Sequence, residues 1–162
     1  MPLELVVEDG TGLANANAFA GLSAVATLLE GTRWAAAWEL EQDQDVLIGE
    51  ATAWLSRLAW DGSARTARQA LAFPRTGMRT RDGYAVAADS IPAWLVRATA
   101  LLANYLRQQE VTLFDDTGLE PRTELVVGPL RLTPSSGGAS MPADIGQLLR
   151  PYLAARGTVE LG

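Results

Sequence analysis

The chain has 162 residues, 48% of them apolar, which suits one domain with a modest core. It contains no cysteine or histidine, and all 13 of its basic residues are arginine. Disulfides, thiolate chemistry, Ser/His/Asp catalysis and a phosphate loop ending in Gly-Lys-Ser/Thr are therefore excluded. The 19 acids leave a net charge of −6, and no apolar run approaches the roughly 20 residues that span a bilayer. The acidic opening "MPLELVVEDG" also lacks the apolar core of a signal segment, so the sequence predicts a soluble, unprocessed protein with no membrane contact.

In chain order, "LELVVEDGTGLANANAFAG" is extended up to Val7, turns at Asp9-Gly10 and resumes over Ala14 to Phe19, the pattern of a small hairpin. Ser23 is placed to cap a short helix over 24–30 that Gly31 closes. Leu47, Ala51, Trp54, Leu55 and Leu58 form one apolar stripe, predicting a long helix over roughly 40–59, with the acids from Glu39 to Asp45 at its positive end. A third helix follows Asp89 or Ser90, with Pro92 in its first turn, and runs to about Arg107. Its stripe of Leu95, Ala98, Leu102, Tyr105 and Leu106 faces the second helix, and a second stripe of Trp94, Leu101 and Tyr105 calls for a further neighbour. "TELVVGPLRLTP" reads as a strand pair or a bent strand around Gly128-Pro129. "SSGG" at 135–138 is a flexible joint, followed by a short helix in "MPADIGQLLRPYL" and an unpatterned tail. The expected fold is mainly α: a small helical bundle with long loops and a minor β element over 1–134, and a C-terminal arm over 135–162.

The segment from Asp61 to Asp89 stands out, because structureless loops beyond about 12–15 residues are uncommon and usually functional. Between Gly62 and Arg81 it holds Arg65, Arg68, Arg75, Arg79 and Arg81 and no acid, a charge of +5 against −11 for the rest of the chain. A solvated loop, a phosphate-binding surface for nucleic acid and a contact between copies of the chain each account for that charge. Phe73 is the one aromatic within the basic run that offers a stacking platform.

Other candidate sites have plainer explanations. Glu39, Glu41, Asp43 and Asp45 lack the glycine and ligand spacing of a calcium loop and read as a solvated helix start; Asp115-Asp116 before Gly118 reads as a turn. Trp54 and Trp94 fall on apolar helix faces, whereas Trp34 and Trp38 are placed by neither reading. No nucleophile and base stand in a catalytic pattern, so no enzyme, metal or cofactor is expected. The C-terminal helix has one narrow apolar face and is too short to be stable alone. Leu148, Leu149 and Tyr152 are expected to meet a partner, and Thr158 and Val159 to add an extended strand to it.

"LANANAFAGLSAV", "QALAFPRTGMRTRDGYAVAADSIPAWLVRATALLA", "ELVVGPLRL" and "LLRPYL", in that order, resemble the head-tail adaptor (neck connector) proteins of long-tailed bacteriophages. That group is also labelled DnaT-like single-stranded DNA-binding proteins. The likeness is densest over Gln69-Ala70-Leu71, Pro74-Arg75-Thr76-Gly77, Asp82-Gly83 and Ile91-Pro92, with Phe73 where the family usually has tryptophan. The resemblance implies a homo-oligomeric ring, twelvefold, beneath the portal protein and above a stopper or tail-completion protein. Double-stranded DNA would pass through it without specific binding, and the protein would reside in the virion neck after synthesis in the host cytoplasm. The basic loop would then be an assembly surface, with Phe73, Pro74, Gly77 and Gly83 shaping it and its arginines reaching a neighbour or the portal. Single-stranded DNA binding is the alternative.

Overall fold

The apolar stripes over 47–58 and 95–106 produce the two longest helices, and these pack on each other. In the computed structural model, which describes residues 3–109, 125–127, 130–132 and 142–154, the helices are α1 (Leu22–Leu29), α2 (Ala35–Glu39), α3 (Gln44–Ser56), α4 (Ala93–Gln109) and α5 (Ala143–Leu149). A 3-10 turn, Arg150–Tyr152, follows α5. The antiparallel pairs are β1 (Ser63–Ala64) with β2 (Arg75–Thr76) and β3 (Leu125–Val127) with β4 (Leu130–Leu132). The fold is mainly α.

α4 is the hub and packs against α1, α3 and α5. It begins just after Pro92, whose carbonyl accepts the amides of Leu95 and Val96 at 3.0 and 3.1 Å. Leu95, Ala98, Leu102 and Leu106 are buried along it, and Ala100 and Ala103 let its neighbours approach closely. α3 contributes Ile48, Ala51, Trp54 and Leu55, and α1 contributes Val25 and Leu29. Two buried hydroxyls on this surface are satisfied: Thr52 Oγ1 accepts the Phe19 amide at 3.1 Å, and Thr99 Oγ1 donates to the Leu95 carbonyl at 2.9 Å.

The helix expected over 40–59 is shorter, Gln44–Ser56, and a separate short helix, α2, precedes it. Residues 40–43 separate the two because one Glu41 carboxylate oxygen accepts the amides of Gln42 and Asp43 at 2.9 and 3.1 Å, a local side-chain bond that competes with the helical ladder. α1 begins one residue before Ser23, with Gly21 at its cap position and no side-chain cap. The N-terminal hairpin is replaced by a single parallel bridge, Val7 to Ala18. The buried Glu8 carboxylate causes the change by accepting the amides of Gly10, Gly12 and Leu13 at 3.0, 2.8 and 2.8 Å. That coil carries the chain round so that it returns parallel. The Asn17 side chain completes the pairing, accepting the Val6 amide at 2.8 Å and donating to the Glu4 carbonyl at 2.9 Å.

The largest departure is at the C-terminus. The helix expected to reach a partner packs on its own α4, burying Ile145 and Leu149 in the core, with Leu148, Tyr152 and Leu153 half-buried around them. Tyr152 stacks on Trp94 with ring centroids 3.9 Å apart and planes 3° from parallel. The Tyr152 carbonyl accepts the Asp61 amide at 3.0 Å, and the Ala154 amide donates to the Ala59 carbonyl at 2.9 Å. The physical reason is the second stripe of α4: Trp94 on it is covered by Tyr152 in the 3-10 turn, which seats the narrow apolar face of α5 against α4. Leu148, Leu149 and Tyr152 are thus used within the chain. The joint at 135–138, the division at 134/135 and the tail with Thr158 and Val159 lie outside the described residues.

Gly62 enforces the geometry by which the chain leaves α3. Its φ is +68°, and a Cβ there would lie 2.3 Å from the Thr76 carbonyl oxygen on the partner strand. Gly62→Ala is expected to destabilise the domain by about 2–4 kcal/mol, combining a left-handed backbone with overpacking, as a thermal melt would register.

Candidate nucleic-acid interface

The segment 61–89 is charged and irregular but held at many points. Trp60 closes α3 by donating its indole N–H to the Leu55 carbonyl at 2.8 Å. Across the β1–β2 ribbon Ser63 faces Thr76 and Ala64 faces Arg75. The turn between them is bound by Gln69, which accepts the Thr66 amide at 2.9 Å and donates to the carbonyls of Leu71 and Pro74 at 2.9 and 3.0 Å. Phe73, joined to buried Pro74 by a cis peptide bond, sits at the centre of an aromatic cluster. Its ring centroid is 4.9 Å from Trp60, 5.6 Å from Trp94 and 6.0 Å from Phe19, each edge to face. An edge-to-face pair adds about 0.5–1.5 kcal/mol beyond area burial, so Phe73 fastens the loop to α3 and α4.

Beyond buried Met78 the chain forms a tight hairpin over 79–85. Arg79 bridges Ala85, the Gly83 amide donates to the Thr80 carbonyl at 2.9 Å, and the Thr80 amide donates to the Tyr84 carbonyl at 2.7 Å. This is a turn through Arg81-Asp82 followed by a bulge residue with positive φ, and Gly83 supplies that residue at φ +87°. Gly77, before the hairpin, also has positive φ, +79°. The hairpin is pinned from the side by Arg79, whose Nη1 donates to the Gly83 carbonyl at 2.8 Å.

The five loop arginines separate into two groups. Arg75 is turned inward: its guanidinium donates to the carbonyls of Asp61, Ala72, Trp60 and Gly62 at 2.7, 3.2, 3.4 and 2.8 Å. Burial holds its pKa below the usual arginine value, with the Asp61 carboxylate opposing the shift. Each nitrogen of the fork thus has a partner within the chain. Arg65 likewise donates to the Gly10 carbonyl and ties the loop to the N-terminal coil. Arg68, Arg79 and Arg81 are exposed, and Arg68 and Arg81 have no intramolecular partner among the described residues. Arg79 and Arg81 share the hairpin, whereas Arg68 stands apart on the 65–70 turn.

The aromatic expected to offer a stacking face, Phe73, is core. Tyr84, passed over in the sequence reading, is 74% exposed on the hairpin that also carries Arg79 and Arg81, where it lies opposite Thr80. The signal for it was present in "RDGYA": Asp-Gly sets the turn, and the residue after the bulge leaves it on an open surface. Trp38, Trp54 and Trp60 are buried, and Trp94 is covered by Tyr152. Trp34 is half-buried, with the Arg33 guanidinium 5.1 Å from its ring centroid. Tyr84 with its two arginines is the site in the 61–89 segment where an aromatic face and exposed positive charge coincide. Asp82 at the tip reduces that charge by one.

A family model described as "Putative DnaT-like ssDNA binding protein" matches residues 3–161, nearly the whole chain. The chain belongs to this DnaT-like family. The family description is that of a binding protein, not an enzyme, and it names no place in a virion. Searches of curated proteins and of solved structures found no match. The DnaT-like match takes in both the N-terminal coil and α5, the two elements that pack against the loop and its aromatic cluster. Among the described residues no group of three or more acidic side chains is placed to hold a metal ion, and no helix is long and apolar enough to cross a membrane.

Proposed function

We propose that the chain binds single-stranded DNA through the 79–85 hairpin, with Tyr84 stacking on an unpaired base and Arg79 and Arg81 meeting the flanking phosphates. The observation that carries this reading is an exposed tyrosine on the same pinned turn as two exposed arginines, in a family described as single-stranded DNA binding. Stacking on an aromatic side chain tolerates any base, and two or three phosphate contacts give modest, salt-sensitive affinity. The acidic remainder of the chain confines DNA to this one surface. Tyr84→Ala is expected to weaken binding of a fluorescent 20-nucleotide oligo(dT) by about 1–3 kcal/mol, roughly 5- to 150-fold. Arg81→Ala should lower the log–log salt slope by about 0.7. Anisotropy titrations of both variants, with thermal melts showing the fold intact, test the assignment. Unchanged affinity in Tyr84→Ala contradicts it.

A second reading is that the chain is a head-tail adaptor, forming a ring, twelvefold, beneath a portal in a phage neck, with a stopper or tail-completion protein below. Two observations favour it. Arg65, Arg75 and Arg79 spend donors on their own chain, which makes the loop a rigid assembly element. The charge of −11 outside the loop suits a wall past which double-stranded DNA slides. Rings seen by electron microscopy, together with no measurable oligonucleotide binding, would favour this reading over the first.

A further inference from the structure

Among the described residues, the N-terminal segment Leu3–Val7 uses only one of its two backbone edges. The Glu4 carbonyl, the Val6 amide and carbonyl and the Glu8 amide all bond to Asn17 or Ala18. Backbone groups alternate direction along an extended chain, so those of Leu5 and Val7 point the other way, and none of them forms a hydrogen bond among the described residues. The segment is held tightly in place: a Cβ on Gly49 of α3 would lie 2.9 Å from Leu3, and one on Gly21 would lie 3.6 Å from Val7. Beside it runs a groove of about 500 Å³ with an apolar wall of Leu3, Leu5, Val7 and Leu22 and a polar wall that includes Gln44 and Asp45. Leu3, Val7 and Leu22 are 41%, 37% and 46% exposed.

An open, apolar strand edge invites another strand, and the charges around this one select which. One Asp45 carboxylate oxygen accepts the Val46 amide at 2.9 Å, while the other is buried without any partner. A buried oxygen of this kind is costly unless a donor reaches it. Glu4 and Asp9 flank the edge, and Glu41 and Asp43 flank the groove-lining residues in sequence. A second copy of this chain pairing edge to edge would bring these acids together, and like charges across a strand pair are destabilising. A cationic strand removes that repulsion and supplies Asp45 with its donor.

We propose that the Leu5–Val7 edge accepts an extended segment of a partner protein that alternates apolar with small polar residues and carries arginine or lysine at its end. Its apolar side chains would lie on Leu3, Val7 and Leu22, and its cation would meet Asp45. This surface is separate from the 79–85 hairpin and does not depend on DNA binding. The probe is the capped peptide RTVTVTVR, compared with ETVTVTVE, titrated into the full-length ¹⁵N-labelled protein with amide hydrogen exchange as the readout. The expected result is at least tenfold slower exchange at the Leu5 and Val7 amides and at least tenfold weaker binding of the glutamate peptide. Asp45→Asn should close most of the gap between the two peptides, and N-methylation of the arginine peptide along its edge should abolish binding. Equal affinity for both peptides, or protection that spares Leu5 and Val7, would overturn the proposal. Protection of both amides in a concentration-dependent dimer of the protein alone would also overturn it, since a second copy would then be the occupant.

Discussion

Truncating the chain before Pro142 is expected to lower the melting temperature by at least about 10 °C, not to release an independent arm. Full burial of Ile145 and Leu149 contributes about 1.5–3 kcal/mol each. The Trp94–Tyr152 stack contributes about 0.5–1.5 kcal/mol more. A loss of about 4–7 kcal/mol is comparable to the whole stability of a typical domain, about 5–15 kcal/mol. Trp60 and Trp94 would also become hydrated, so the intrinsic tryptophan emission of the truncated chain should shift to the red. A circular dichroism melt of residues 1–141 beside the full chain measures the effect. Coincident melts would mean that α5 does not belong to the core. Leu149→Ala tests the same packing with one side chain and should cost about 2–5 kcal/mol.

Glu8→Ala is expected to destabilise the domain by about 3–5 kcal/mol, a large effect for removing one carboxylate. Three amides, those of Gly10, Gly12 and Leu13, would lose their acceptor at once, and a buried donor left unsatisfied costs about 1–3 kcal/mol. The Gly10 carbonyl also receives Arg65, so relaxation of the coil would loosen the 61–89 loop at its N-terminal contact. Denaturant unfolding should therefore show a lower midpoint. Proteolysis should show earlier cleavage within 8–16 and 65–70 than elsewhere. Glu8→Gln retains one acceptor oxygen and should lose less. An alanine variant as stable as the parent would show that the coil does not depend on Glu8.

What the sequence disclosed and what it concealed follow from the range of the interactions. The α3–α4 pair was legible because Leu47, Ala51, Trp54 and Leu55 on one helix and Leu95, Ala98, Leu102 and Leu106 on the other repeat at helical spacing, a signal local to each segment. The turn at Asp82-Gly83 was legible for the same reason. The docking of α5 was not, since a single apolar face states that it must be covered but not by what, and the answer lay 50 residues away in Trp94. The break before α3 depended on one Glu41 side chain preferring its neighbours' amides to the helix. Arg75 read as outward because charge runs generally are, whereas the ribbon register turned its fork onto four carbonyls. Tyr84 was missed because Phe73 lay inside the basic run and Tyr84 just beyond it, and only the folded hairpin exchanges their exposure.

Binding of single-stranded DNA to the 79–85 hairpin is the role proposed for this acidic chain. Its most direct test is the salt dependence of oligo(dT) binding by the unmodified protein between about 20 and 200 mM salt, followed by fluorescence anisotropy. Two or three phosphate contacts, from Arg79 and Arg81 with or without Arg68, predict a log–log slope of about −1.4 to −2.1. Absence of binding at the lowest salt, or a slope indistinguishable from zero, would contradict the claim.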